Sequence, residues 1–495
     1  MTPPNPAAPD DQTLKRSYAP TPGPTSLPFA PDLISLSGKR VTVMGLGLFG
    51  GGAGVTRWLA AQGARVTVTD LRPEQELAES VALLKGLDVA LHFGGHRDED
   101  FTGTDCVVVS PAIPLGSPLL RKAVEAGVRL ETEINLAFKL CRGMILGITG
   151  SNGKTTTTAL AGGFLKALGQ TTWVGGNIGG SPLDWIDKVR RPDRVVLELS
   201  SFQLDNLAPI RRSPHIGIVT NLTPNHLDRH GSMEAYAAAK RQIIAHQGPK
   251  DHAVLNGDDP ALGAAFLGFP GKVWEFAAAR RPENGAWYGD ERVEIVEYGE
   301  TVARVDARRR QIPGAFNLAN IATSALAAWI LRKGLAAEWE RTIAQAIADF
   351  PGVEHRLERV AMKRGVRYVN DSIATNPESV LAALDTLEGP IVLIAGGYDK
   401  KLPFDGLAKR VAERVKHLVL LGDTAPAIAR LVEAEGKGTP ILRVNSIDEA
   451  VTMASVQADP GDTVLLSPAC ASFGLFRNFA ERGKLFKKAV ERLMG

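Results

Sequence analysis

The stretch Gly147-Ile-Thr-Gly-Ser-Asn-Gly-Lys-Thr155 follows the apolar run Met144-Ile145-Leu146 and leads into Thr156-Thr157-Thr158-Ala159-Leu160. A strand that ends in glycines and passes straight into a helix turns backbone N–H groups and the positive end of the helix toward an anion. Gly150 and Gly153 permit that convergence, Lys154 supplies a cation and Thr155 a hydroxyl for Mg²⁺. Gly150, Ser151, Asn152, Gly153, Lys154, Thr155 and Thr156 are therefore expected against the phosphates of a nucleoside triphosphate. Ile148 stands where the strict phosphate-loop pattern has glycine, so the cradle is a variant with its middle glycine at 150.

Working outward, 495 residues suffice for about three domains. A net charge of +3 with mixed signs offers no basic stripe for nucleic acid and no polybasic cluster for anionic lipid, which favours small-molecule partners. Cys106, Cys141 and Cys470 lack disulfide or metal-ligand spacing, as expected in a reducing cytoplasm. No apolar run has membrane-spanning length. Nine prolines in the first 31 residues predict a disordered tail over 1–32.

The fold expected is α/β in three domains. A Rossmann-like domain over 33–131 contains the strand Arg40–Met44, the glycine run Gly45-Leu-Gly-Leu-Phe-Gly50 and the strand Ala64–Asp70, whose acid lies twenty residues beyond Gly50. Taken alone, that layout is the case for an NAD-dependent oxidoreductase. A central mononucleotide-binding domain over 132–350 holds the phosphate loop and strands at Arg194–Leu199 and Ile216–Thr220, predicting a parallel sheet. A second Rossmann-like domain over 351–495 has strands at Val366–Asn370, Ile391–Ala395, His417–Leu421 and Thr463–Leu466.

Glu198 closes its strand where a magnesium ligand belongs, although a strand-end acid can equally be satisfied by loop amides. His226, in Thr220-Asn-Leu-Thr-Pro-Asn-His-Leu-Asp228, is either a metal ligand or a packed histidine. Lys240 follows an N-cap at Ser232 and shares a helix face with Tyr236, Ile243 and Ile244. It is either a snorkelling stem or an amine desolvated enough to capture CO₂ as a carbamate.

These segments, with Gly176-Asn-Ile-Gly179, Glu198-Leu-Ser-Ser-Phe-Gln-Leu204, Phe316-Asn-Leu-Ala-Asn320, His355-Arg356, Asn370-Asp-Ser372 and Leu466-Ser-Pro-Ala-Cys-Ala-Ser472, make the ordered chain resemble the Mur ligases. The resemblance implies a monomeric cytoplasmic enzyme of cell-wall peptidoglycan precursor synthesis that uses ATP and Mg²⁺ to add glutamate, in the D form by family habit, to UDP-N-acetylmuramoyl-L-alanine. It implies ATP contacts at Lys154, Asn317, Asn320, Arg356 and Asp371, and metal at Thr155, Glu198, His226 and carbamylated Lys240. Leu48, Phe49, Asp70, Arg72 and Asn177 would hold the UDP substrate, recasting the first glycine run as a site for uridine nucleotide rather than NAD. Thr375, Lys400, Ser472, Phe473 and Phe479 would hold the incoming amino acid. One departure bears on specificity: the family's Asp-Ser-Lys-Ala-Thr-Asn reads Asp371-Ser-Ile-Ala-Thr-Asn376. A different amino-acid preference or a folate-glutamylating ligase is the competing reading. A non-catalytic nucleotide-binding module leaves Thr155, Glu198, His226 and Lys240 unexplained.

Overall fold

A computed structural model describes residues 35–493 except 49, 115, 179, 266–268, 333, 400, 401 and 473. The expectations for the tail 1–32 and for Phe49, Lys400 and Phe473 lie outside the described residues. The chain forms two compact units, one made of Met1–Asp306 with Ala319–Ala344 and the other of Ala307–Leu318 with Gln345–Gly495.

The first unit contains two sheets. Strands β1 (Arg40–Met44), β2 (Arg65–Asp70), β3 (Val89–Phe93), β4 (Cys106–Val109) and β5 (Arg129–Thr132) are all parallel, in the order β3-β2-β1-β4-β5. Val41, Val43, Val66, Val68, Val107 and Val108 are buried, as β-branched residues on a sheet covered by helices should be.

The second sheet comprises β6 (Met144–Thr149), β7 (Thr172–Gly176), β8 (Arg194–Glu198), β9 (Ile216–Val219), β10 (His252–Asn256), β11 (Lys272–Ala277), β12 (Gly285–Gly289), β13 (Arg292–Glu297) and β14 (Glu300–Asp306). Its order is β14-β13-β12-β11-β10-β9-β6-β8-β7. The pairs from β7 through β12 are parallel, as expected, but β12, β13 and β14 form an antiparallel extension that corrects the reading of a purely parallel sheet. Tight turns link these last strands, and no helix is needed to cross between them.

Strand β6 lies between β8 and β9, so the chain leaves it in opposite directions and the loops after all three strands meet at a topological switch point. Register puts Ile148 opposite Glu198 and Thr149 opposite Val219. The phosphate loop, the Glu198 carboxylate and the segment after Val219 thus emerge side by side.

The other unit carries the sheet β15-β16-β20-β17-β18-β19, with β15 (Glu358–Lys363), β16 (Val366–Asn370), β17 (Ile391–Ala395), β18 (Val415–Leu420), β19 (Ile441–Arg443) and β20 (Thr463–Leu466). Only β15 runs antiparallel. No helix among the described residues is long and apolar enough to cross a membrane.

Candidate functional site

The loop 150–153 is braced from the segment that follows β9. Asn221 accepts the Ser151 amide through its carbonyl at 3.0 Å and the Asn152 amide through its side-chain oxygen at 2.8 Å. Thr220 donates to the Asn152 carbonyl at 2.6 Å, and Ser151 Oγ exchanges hydrogen bonds with Thr223 at 2.7 and 2.9 Å. The amides of Ser151 and Asn152 are thus held by Asn221, which fixes the course of the loop expected against phosphate. The donors turned outward are those opening the helix Lys154–Ala167, which starts on Gly153 (φ 81°) without a side-chain cap. Gly150 is required sterically: a Cβ there would lie 1.8 Å from Thr220 Oγ1. A Cβ on Gly153 would lie 2.6 Å from Asn320 Oδ1. Asn320 also accepts from Thr157 at 3.2 Å, so it buttresses the start of the loop helix. Lys154 arches over its own loop and donates to the carbonyls of Gly150 and Ser151 at 3.0 and 2.9 Å.

Glu198 is 1% exposed. Its Oε1 accepts from Asn177 Nδ2 at 2.9 Å, and the Asn177 amide donates to the Glu198 carbonyl at 2.9 Å. Glu198 Oε2 is buried and has no protein partner among the described residues. A buried carboxylate with one oxygen steadied and the other unpartnered suits a hard cation. A Cβ on Gly176 would lie 2.2 Å from the Glu198 carbonyl oxygen, which accounts for the glycine before Asn177.

Lys240 is 1% exposed on the helix Met233–Arg241, which Ser232 caps as expected. Its ammonium nitrogen reaches the Gly150 carbonyl at 2.9 Å and Thr149 Oγ1 at 3.3 Å, 4.6 Å above the Tyr236 ring. Burial drives the Lys240 pKa well below the ordinary lysine value; Lys154 pushes it further down and Glu198 opposes. An interior amine aimed at the phosphate loop does not snorkel, and its neutral form is the one that reacts with CO₂. His226 is exposed, with a left-handed backbone (φ 54°), its amide held by Asn225 Oδ1 at 2.9 Å and its ring edge-on to Phe202 at 5.0 Å. Phe202 lies in the helix Ser201–Leu207, which opens with a capping box of Ser200 and Gln203 directly after Glu198. That turn carries the Glu198 strand toward the His226 loop.

Several supporting residues were not singled out by sequence reasoning. Tyr236 meets Ser151 Oγ at 3.2 Å, and His230 meets Ser201 Oγ at 2.9 Å while stacking on Phe202 at 5.4 Å. Arg229 lies 3.9 Å over the Phe202 ring and donates to the Pro111 carbonyl at 3.0 Å. Tyr236 was read only as sharing the Lys240 helix face, and Phe202, Arg229 and His230 carry no signal of their own without these partners.

In the first sheet, Asp70 is buried and accepts the Gly47 and Arg72 amides at 3.1 and 3.0 Å. It braces the glycine turn that Leu48 occupies, and the Arg72 guanidinium lies 3.7 Å from it.

In the other unit, Asp371 accepts from Ser467 Oγ at 2.8 Å and from the Leu357 amide at 3.2 Å. Burial pushes its pKa up to about 6, opposed by the Ser467 hydrogen bond and the Arg356 charge. Arg356 stands between His355 and Leu357, both with positive φ (66° and 42°). Asn317 belongs to this unit and donates to Pro313 at 2.6 Å. Ser472 is buried, Thr375 precedes the helix cap Asn376, and Phe479 opens the helix Phe479–Arg492 while its carbonyl accepts from Ser372 at 2.7 Å. The organiser here is Arg482, 1% exposed, which donates to Ser372 Oγ, the Ser372 carbonyl and the Cys470 carbonyl at 3.0, 2.8 and 3.1 Å. It ties the segment after β16 to the segment after β20. A buried arginine within a surface-looking helix pattern gives no such signal in the sequence.

A braced phosphate loop at an uncapped helix start, beside a buried, half-satisfied carboxylate and a buried lysine whose pKa is driven down, defines a nucleotide-dependent phosphoryl-transfer site. Residues 39–131 match the family described as Mur ligase MurD-like, N-terminal domain; 148–328 match Mur ligase middle domain; and 355–470 match Mur ligase, glutamate ligase domain. The chain belongs to the Mur ligase family. It is 45% identical over 468 residues to the UDP-N-acetylmuramoylalanine–D-glutamate ligase of Roseiflexus sp., covering 92% of this chain and 99% of that one. To the enzyme of the same name from Symbiobacterium thermophilum it is 42% identical, covering 92% and 98%. Among solved structures, UDP-N-acetylmuramate-alanine ligase MurC of Thermotoga maritima shares the fold with a TM-score of 0.61 at 18% identity, over 92% of this chain and 99% of that one.

Proposed function

We propose that this protein joins D-glutamate to UDP-N-acetylmuramoyl-L-alanine, converting ATP to ADP and phosphate, in the cytoplasm and as a monomer. The relatives' shared name supports the substrates. The observation that carries the chemistry is Glu198, with one oxygen steadied by Asn177 and the other buried without a partner among the described residues, opposite Ile148 in register. We assign 33–131 to the UDP-linked substrate, 132–350 to ATP and 351–495 to the amino acid and ATP.

Thr155 with Glu198, and His226 with carbamylated Lys240, would hold Mg²⁺; the donors are hard oxygens and imidazole nitrogen, and the Glu198 orphan oxygen fits that use. When bound, the metal offsets phosphate charge during transfer. Lys154 and the amides opening its helix are assigned to the phosphates, with Asn320 supporting them; Asn317, Arg356 and Asp371 are assigned to ATP. The alanyl carboxylate oxygen attacks the γ-phosphorus and ADP departs, leaving an acyl phosphate. The glutamate amine then attacks the carbonyl carbon, phosphate leaves with the bonding electrons, and the nitrogen loses a proton. Leu48, Phe49, Asp70, Arg72 and Asn177 are assigned to the UDP substrate, and Thr375, Lys400, Ser472, Phe473 and Phe479 to glutamate.

The test is phosphate release in mixtures omitting one component at a time, with D-glutamate, L-glutamate and other amino acids compared. Release should require ATP, UDP-N-acetylmuramoyl-L-alanine and D-glutamate together. Equal release without the muramoyl substrate, or a preference for another amino acid, overturns the reading.

A further inference from the structure

The carboxyl of Glu133 lies apart from the residues assigned above. Glu133 opens the helix Glu133–Leu140, is 9% exposed, and its Oε1 has no partner among the described residues. The side chain points at the start of the helix Gly51–Ala61, where a Cβ on Gly51 would lie 3.5 Å from Oε2 and 4.0 Å from Oε1.

That receiving helix is eleven residues long, begins on Gly50 (φ 82°), and has neither a side-chain cap nor an acid in its first turn. Its backbone is stripped of side chains for a reason, since a Cβ on Gly52 would lie 2.4 Å from the Leu46 carbonyl oxygen. Uncapped amides at a bare helix start attract an anion. An ionised carboxylate beside that anion would repel it, whereas a carboxylic acid would add a donor.

The surroundings favour the acid form. Burial pushes the Glu133 pKa up to about 7, with Ser181 opposing and Asp184 reinforcing. Neighbouring acids have their own partners: Asp184 takes Arg57 at 2.7 and 2.9 Å, Asp187 takes Trp58 and Gln62 at 3.0 and 3.1 Å, and Glu131 takes Arg129 at 3.0 Å and Lys139 at 2.7 Å. On the adjoining helix Ser201–Leu207, burial pushes the Asp205 pKa up to about 6, with the Arg229 charge opposing. Among the described residues, no cation is set against Glu133.

We propose that Glu133, in its neutral form, donates a hydrogen bond to the diphosphate of a UDP-linked substrate seated at the start of the helix Gly51–Ala61, so that binding takes up a proton from solution. The inference rests on the assignment of 33–131 to that substrate. The arriving diphosphate diester carries two negative charges that do not titrate near neutrality, and they raise the proton affinity of the carboxyl further.

The experiment is calorimetric titration of the full chain with UDP-N-acetylmuramoyl-L-alanine at pH 7.5 in PIPES and in Tris, whose ionisation enthalpies differ. The wild type should take up about half to three-quarters of a proton per ligand, given a free carboxyl titrating near 7. Glu133→Gln, a permanent neutral donor, should bind with no uptake and with an affinity that stays flat from pH 6.5 to 8.5, where the wild type weakens about tenfold. A merely structural role for Glu133 would not move the proton count. Should Glu133→Gln fail to fold, the wild-type uptake and pH dependence decide alone. Tight binding without uptake, or equal uptake by both proteins, overturns the inference and leaves the UDP assignment standing. No binding by the wild type removes that assignment, and this inference with it.

Discussion

Asn177 Nδ2 donates to Glu198 Oε1 at 2.9 Å, and the same asparagine's backbone amide donates to the Glu198 carbonyl at 2.9 Å. The two residues are locked together at backbone and side chain across adjacent parallel strands. A partner that orients a ligand without touching the metal typically contributes 10–100-fold to metal affinity. Asn177→Ala should therefore raise the Mg²⁺ concentration needed for half-maximal rate by about tenfold or more. Initial rates across a Mg²⁺ series check this; an unchanged Mg²⁺ requirement with a raised KM for the muramoyl substrate would leave Asn177 as a substrate contact alone.

Lys240→Ala should abolish ligation and recover part of it when short carboxylic acids are supplied in place of the carbamate. Wild-type turnover in that variant would refute the carbamate assignment. Lys240→Met separates catalysis from folding. The folded-state pKa of Lys240 lies below its unfolded value, because burial disfavours the charged amine, so with respect to this group stability rises as pH climbs toward the unfolded pKa. Removing the amine should leave neutral-pH stability unchanged or higher while activity is lost, as denaturant titration alongside the rate assay would reveal.

Gly150→Ala forces a methyl to within 1.8 Å of Thr220 Oγ1, at a φ of 150°. Thr220 cannot retreat without losing its 2.6 Å bond to the Asn152 carbonyl. The substitution should cost about 2–4 kcal/mol of stability, the sum of left-handed strain and overpacking, and should weaken ATP binding measured by titration. Wild-type ATP affinity would show the loop to be more yielding than its contacts imply.

Asp371 bears on stability against pH. Its carboxyl titrates near 6 in the folded state, against an ordinary value of 3.8. The folded state binds the proton more tightly, so the unit is most stable below pH 4 with respect to this group, loses about 2–3 kcal/mol as pH rises from 4 to 6, and is level above. Asp371→Asn keeps an acceptor for Ser467 and should flatten that segment of the stability curve. Parallel curves for the two proteins between pH 4 and 6 would contradict the assignment.

Ile373 follows Ser372, which Arg482 fixes from two sides. Restoring the family lysine by Ile373→Lys adds a cation beside the proposed amino-acid site. It should lower the KM for D-glutamate by about tenfold, the lower end of a charge-assisted bond. An unaltered KM would mean that this chain orients the amino acid without position 373.

How much was legible varies with distance along the chain. Strands β1, β16, β17 and β20 appear with the limits read from their apolar runs, because each is a short β-branched segment closed by turn residues. The Ser232 cap was equally plain. The antiparallel strands β12 to β14 were missed, although β13 and β14 alternate exposed polar and buried apolar residues, because no helix separates them and the reading followed a strand–helix rhythm. Arg482 was missed because its partners lie 110 and 12 residues away.

By itself the sequence determined the phosphate loop, since glycines, lysine and helix start are contiguous and their geometry is local. Whether Lys240 snorkels or is held inside, and whether Glu198 is satisfied or left half free, were decided only by the tertiary structure. Each depends on how much water the surrounding chain excludes and which distant group it brings within hydrogen-bond reach, and neither quantity is written in neighbouring residues.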